Sequence, residues 1–268
     1  MTEKKSTIDI LGQLFTRRWI LSTLLVLAVC AGFVRLGFWQ LDRMATRKAQ
    51  VAETQAQVNA PVLVLDAETL QTTPDLENMQ YRHVQVTGVY DMTAEVVLRN
   101  QMWVDVHTVR YNGVHLLTPL IIHGTDTAVL IDRGWIPADD AAAQARRKYD
   151  ISGEVTVSGI IRRTETESEF GAVQETTLAP DETRRDIWHF VNVEAIGSAL
   201  DYPLLPVYVQ EEPDGEDHQL PYAIREYPDL SEGAHLGYAF QWFALAAITL
   251  IGYPIMVKRQ DGAGEEDE

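Results

Sequence analysis

Hydrophobic and polar positions change their period twice along this chain. From Trp19 to Trp39 (WILSTLLVLAVCAGFVRLGFW) apolar residues run free of charge until Arg35. A second run, Tyr238–Val257 (YAFQWFALAAITLIGYPIMV), has no formal charge, and only Gln241 and Thr249 are clearly polar non-aromatic groups. A bilayer core of ~30 Å needs about 20 helical residues at ~1.5 Å each, so both runs predict transmembrane helices. Arg35 falls roughly 24 Å along the first helix, near the far interface, where its side chain can snorkel outward. Trp242 and Tyr253 sit toward the two ends of the second run, as in an aromatic belt. Pro254 is close enough to that run's end for its missing hydrogen bond to be tolerated.

Between the two runs the period shifts to two. Residues 40–60, rich in Ala, Gln, Arg and Lys and ending before Pro61, predict a helical extension of the first span. Strand patterns follow at Arg82–Tyr90, Glu95–Arg99, Val114–Leu120, Thr127–Asp132, Glu154–Ile161 and Leu205–Gln210, each short, Val- and Leu-rich and bounded by turn formers. A helix is predicted at Asp139–Lys148, which opens on acids and ends on bases, and another at Asn192–Leu200 with Asn192 as N-cap. Thr164–Arg185 is polar and reads as a hairpin extension or mobile loop. The predicted fold class is a membrane protein: two transmembrane helices flank a mainly antiparallel β domain, α+β and barrel- or sandwich-like.

Charge adds orientation. Lys4, Lys5, Arg17 and Arg18 precede the first span, and Lys258 and Arg259 follow the second. Positive flanks stay inside, so both termini are expected in the cytoplasm and the strand-rich domain on the outer face of a bacterial plasma membrane. The apolar part of the first run is longer than a signal-peptide core, which favours an uncleaved anchor. The partition is then 1–18 cytoplasmic, 19–39 first span, 40–60 helical extension, 61–234 outer domain, 235–257 second span with an interfacial start, and 258–268 acidic cytoplasmic tail.

Composition mostly excludes. The 268 residues carry 39 acidic against 22 basic side chains, a net charge of −17 that argues against a nucleic-acid partner. The single cysteine, Cys30, excludes an internal disulfide, a CxxC redox pair and a Cys-based metal site. There is no GxSxG, P-loop, HExxH or dinucleotide fingerprint, so no enzyme is expected. Asp132-Arg133-Gly134-Trp135 reads as a strand end, with an Asp–Arg pair and a Trp packed over a turn. His107, His115 and His123 recur every eight residues, but no carboxylate or thiol completes a ligand set, and surface or core roles are favoured.

The membrane edge carries more. His235 lies three residues before Tyr238 and seven before Trp242, so the three share a helical face. Arg35, Trp39 and Arg43, spaced by four, share a face on the first helix. One imidazole, flat aromatic walls and two guanidinium groups suit a planar dianionic ligand such as a haem, with His235 on the iron. The plainer alternative is that these are the ordinary side chains of any helix at a membrane interface.

At these same positions the chain resembles the Surfeit-locus (Surf/Shy) cytochrome oxidase assembly family. The resemblance rests on LGFWQLDR at Leu36–Arg43, YRHVQVTGVYD at Tyr81–Asp91, GVHLLTP at Gly113–Pro119, VLIDRGWIP at Val129–Pro137, PLLPVYV at Pro203–Val209 and AHLGYAFQWFALA at Ala234–Ala246. It departs where the family has an aromatic and Lys after the first-helix arginine (here Thr46, Arg47, Lys48), and where Ala234 replaces an Asn. The resemblance implies an assembly factor for haem–copper terminal oxidases that binds haem a through the residue matching His235. Trp39, Gln40 and Arg43 match its first-helix motif; Gly134 and Trp135 match its central one, with the glycine in a tight turn. The implied partners are the oxidase catalytic subunit, a haem a synthase and membrane lipid. A haem-independent scaffold for oxidase subunits is the alternative.

Overall fold

A computed structural model describes residues 12, 14–72, 74–105, 107–164, 186–213, 215, 219–224 and 227–264. The chain divides into two compact units, positions 1–53 with 230–268, and positions 54–229. In chain order the elements are α1 (Ile20–Val58), β1 (Leu63–Leu65), α2 (Ala67–Gln71), β2 (His83–Tyr90), β3 (Val96–Val104), β4 (Arg110–Ile122) and β5 (Ala128–Pro137). They continue with α3 (Ala143–Arg146), β6 (Glu154–Arg163), β7 (Ile187–Trp188), α4 (Val193–Gly197), β8 (Leu204–Glu211) and α5 (His235–Gly264). Apart from Thr164, the polar stretch to Arg185 lies outside the described residues.

In the first unit, α1 and α5 pair antiparallel. Ser22 and Thr23 hydroxyls meet the Tyr253 hydroxyl at 2.8 and 2.9 Å, the Cys30 thiol approaches the Ala246 carbonyl at 3.7 Å, and Phe33 stacks on Trp242 at 5.7 Å between centroids. Thr23, Cys30 and Gly37 are buried at intervals of seven, as a helix–helix seam requires. Gly37 marks the closest approach: a Cβ there would lie 2.6 Å from the Phe243 ring. Small seam residues of this kind let apolar helices pack where burial from water contributes little. Away from the seam both helices expose Leu, Ile and Phe, and both are long and apolar enough to cross a bilayer. The extension predicted over 40–60 is continuous with the first span, since α1 is unbroken to Val58; α5 runs through Pro254 to Gly264.

The second unit is α+β. Its eight-stranded sheet has the order β1-β2-β6-β8-β5-β4-β3-β7, and an added β2–β4 pairing closes β2, β6, β8, β5 and β4 into a barrel. The ladders are antiparallel except β1–β2, β3–β7 and β5–β8. Alternation along each strand fills the barrel: Val84, Val86, Leu120, Ile122, Val129, Ile131, Val157, Ile161, Val207 and Val209 form one buried cluster. Leu117, Leu130 and Tyr208 belong to a second, covered by Trp188 and by Val193 and Ile196 of α4. Asn192 caps α4 as expected, its side chain accepting from the Ala195 amide.

The helix predicted over Asp139–Lys148 is not continuous. It breaks into a 3-10 turn at Ala138–Asp140, the single turn α3, and a second 3-10 turn at Arg147–Tyr149. Ala142 is extended (φ −67°, ψ 140°), which interrupts the ladder. Arg146 turns inward to Glu95, while Lys148 and Tyr149 both donate to Asp140. These tertiary bonds outweigh a helix propensity of a few tenths of a kcal/mol per residue.

Candidate functional site

The predicted site residues divide between the helix seam and its flanks. His235 opens α5, half-buried, and its Nδ1 lies 2.9 Å from the Gln40 Oε1 on α1. A carbonyl oxygen only accepts, so Nδ1 carries a proton, and in the neutral imidazole the lone pair is on Nε2. The Nε2 edge faces Gly233, where a side-chain Cβ would stand 3.2 Å from it. Trp242 lies two turns further along the same seam, against Phe33.

Tyr238 does not join them. The seam steps from His235 to Ala239, buried at 1%, then to Trp242 and Ala246, which leaves Tyr238 on the exposed flank. Arg35, Trp39 and Arg43 are also exposed, because Phe33, Gly37 and Gln40 occupy the seam of α1. Arg35 and Trp39, with Leu36, line a shallow cavity of about 300 Å³. The structure therefore brings together His235, Trp242 and Gln40, and sets Arg35, Trp39, Arg43 and Tyr238 outside the seam. In the sequence Gln40 is a motif match with no assigned role; its position seven after Phe33, on the seam stripe, is the available signal.

In the second unit the motif at Asp132–Trp135 is built differently from expectation. Neighbouring strand residues face opposite ways, so Asp132 and Arg133 do not pair. Asp132 instead accepts from His115 Nδ1 at 2.9 Å and from the Gly134 amide at 3.0 Å. Arg133 donates to Glu95 at 2.9 Å, and Arg146 lies 3.4 Å from the other Glu95 oxygen. All three side chains are at most 7% exposed. The Thr118 hydroxyl gives Glu95 a further bond at 2.8 Å, and the Arg133 guanidinium covers the Tyr90 ring at 5.1 Å. Burial pushes the Glu95 carboxyl up, against the pull of Thr118 and both arginines. Burial likewise pushes Glu211 up to about 7, with Arg133 opposing. Neither acid was singled out from the sequence, where each is an ordinary strand-end residue.

Gly134 lies in a bulge within β5 and not in a turn: the β4–β5 register slips between Leu116 and Leu117, and Gly134 has φ +106°. A Cβ there would meet the Tyr222 carbonyl at 2.2 Å, where Tyr222 and Trp135 exchange two backbone hydrogen bonds. Trp135 sits within the strand, parallel to Tyr222 at 6.0 Å. The three spaced histidines part company: His115 is buried on Asp132, His123 bonds Glu154 at the surface, and His107 lies in an exposed turn. Among the described residues no three metal-ligating side chains cluster.

Comparison with known proteins bears on the whole arrangement. The family model described as the SURF1 family matches residues 27–247, from within the first apolar run into the second. The chain belongs to the SURF1 family. It is 25% identical to human Surfeit locus protein 1 over 224 residues, 80% of this chain and 70% of the human one. The mouse Surfeit locus protein 1 is 26% identical over 241 residues, 87% of this chain and 72% of its own. A SURF1-like protein of Rickettsia bellii is 24% identical over 254 residues, 94% of both chains. The match thus takes in both helices of the SURF1-family seam, His235 and Gln40 included, as well as the barrel.

Proposed function

We propose that this SURF1-family protein is a membrane-anchored assembly factor for a haem–copper terminal oxidase, which holds haem a at His235 and aids its insertion into the catalytic subunit. The observation that carries the reading is the His235–Gln40 bond, which leaves the imidazole Nε2 available as an iron ligand. In this reading His235 is the one nitrogen ligand, while Trp39 and Tyr238, exposed on the flanks of the seam, would give apolar cover and Arg35 and Arg43 would partner two propionates. Bound haem supplies an iron centre whose chemistry belongs to the oxidase. The protein's own residues orient the ring nitrogen, shield the macrocycle and hold its acids; it turns nothing over.

Both helices span a bacterial plasma membrane in this reading, with the termini in the cytoplasm and the barrel outside. Their exposed apolar flanks and the basic residues beyond the spans, Arg17, Arg18, Lys258 and Arg259, support that orientation. The oxidase catalytic subunit is the partner, and haem a synthase the donor.

A second reading is a haem-independent scaffold that stabilises oxidase subunits. The small volume beside Trp39, at the lower limit of about 300–1,000 Å³ for ligand pockets, favours it. Full-length protein co-expressed with a haem a synthase decides between them. Under the haem reading the purified protein shows a haem a absorption band that His235→Ala diminishes at least tenfold. An equal band in both removes His235 as ligand, and normal oxidase assembly in a His235→Ala strain establishes the scaffold.

A further inference from the structure

The hairpin of β3 and β4 exposes apolar residues beside its turn. Met102, Val104, Val109 and Tyr111 are each more than two-fifths exposed, with Met102 and Val104 on one face of the ladder and Tyr111, across from Trp103, on the other. The tip is held stiffly. Trp103 pairs across the ladder with Tyr111 and packs on Trp135 and Tyr222 at 5.7 and 4.9 Å. Asp105 closes the turn, accepting from the His107 and Val109 amides at 2.9 and 2.8 Å. Its carboxylate is the one acid among residues 99–111, set against the two arginines Arg99 and Arg110.

The charge around the tip runs against that of the chain. Arg99 stands at the bulge between Leu98 and Gln101, Arg110 pairs with Val104, and His107 occupies the turn, all three exposed in a chain of net charge −17. A rigid element with Val104 and Val109 flanking its turn, Trp103 and Tyr111 behind them and arginines alongside carries the side-chain types of a membrane interface. There rings settle at headgroup depth and guanidinium groups meet phosphates. A protein partner would fit the apolar area, but the arginine pair selects an anionic surface.

We infer that the tip of the β3–β4 hairpin, carrying Met102, Val104, Val109 and Tyr111, inserts into the headgroup layer of an anionic bilayer. The inference rests on the reading that α1 and α5 hold the chain in a membrane. In full-length protein carrying Cys30→Ala, single cysteines at Val104, at Leu250 on α5 and at Gln85 on β2 are labelled with a nitrobenzoxadiazole fluorophore. Each protein is reconstituted in phosphatidylglycerol–phosphatidylcholine vesicles bearing a doxyl-lipid quencher. The expected result is at least twofold quenching at Val104 and Leu250 and little at Gln85, with the Val104 quenching lost in Arg99→Glu/Arg110→Glu. Quenching at Leu250 but not Val104 overturns the inference while leaving the anchored reading intact. A Val104 label shielded from aqueous iodide yet unquenched by lipid assigns the tip to a protein partner instead, and overturns it too. Absence of quenching at both Leu250 and Val104 removes the membrane reading, and the inference with it.

Discussion

Truncation of Glu95 tests the account of the buried charges most directly. Its carboxylate is the common acceptor for Arg133, Arg146 and Thr118, and no other acid bonds Arg133 among the described residues. Glu95→Ala leaves the Arg133 guanidinium inside the fold without its counter-charge. Removing one partner of a buried ion pair costs about 3–5 kcal/mol, because the remaining charge keeps its desolvation penalty. For a unit of this size each kcal/mol shifts Tm by roughly 2–4 °C, so a fall of about 10 °C is expected. The full-length protein in detergent is melted while near-ultraviolet circular dichroism is followed, to which buried Trp188 and Trp135 of the barrel unit contribute. Glu95→Leu combined with Arg133→Met should recover at least half of the loss, since an apolar pair replaces a buried ionic one at little cost. Arg146, which lines an open cavity with Gln144 and Arg147, can then turn to water. If Glu95→Ala melts within 2 °C of the parent protein, the Arg133 guanidinium is hydrated in place and the argument from burial is wrong.

Glu211 makes stability depend on pH. Its carboxyl holds its proton up to about pH 7 in the folded chain, against an ordinary value of 4.5. Its contribution is therefore full below pH 4.5 and is lost as pH rises through 7, by up to about 3 kcal/mol; Glu211→Gln should flatten that fall in thermal melts from pH 5 to 8. Gln40→Leu removes the acceptor of the His235 ring and should move the proton to Nε2, visible in the 15N shifts of labelled histidine; under the proposed haem reading it also weakens haem binding about 10-fold or more. An unchanged tautomer would separate Gln40 from the site. Gly37→Val drives methyl groups into the Phe243 ring, so cross-linking of Cys30 to Ala246→Cys should drop severalfold; an unchanged yield would show the helices can part at no loss of register.

What the sequence made legible follows from which forces act locally. Alternating Val84 and Val86 marked a strand because both point into the barrel, and Asn192 marked a helix start because its side chain bonds three residues away. Strands β1 and β7 are three and two residues long and take their form from β2 and β3, so no period reveals them. The Asp139–Lys148 helix failed because Arg146 answers to Glu95, a residue about fifty positions earlier. At the candidate site, spacing alone put Tyr238 and Trp242 with His235, yet a seam admits either the third or the fourth residue. Ala239 is smaller and fills it, which turns Tyr238 outward. Gln40 was hidden for the complementary reason: its meaning lies in an atom on a helix 195 positions away.

The place of β8 in the sheet bears on how the chain fails when it is shortened. Among the described residues it is the last strand made, yet it lies between β6 and β5, pairing with both. A ribosome that stops between Arg163 and Leu204 releases a sheet open along β5 and β6, each with a row of unsatisfied amides and carbonyls. Such a product is no smaller version of the domain but a template for adhesion. Nonsense changes late in the coding sequence should therefore act like early ones, through clearance of the product and not through partial function.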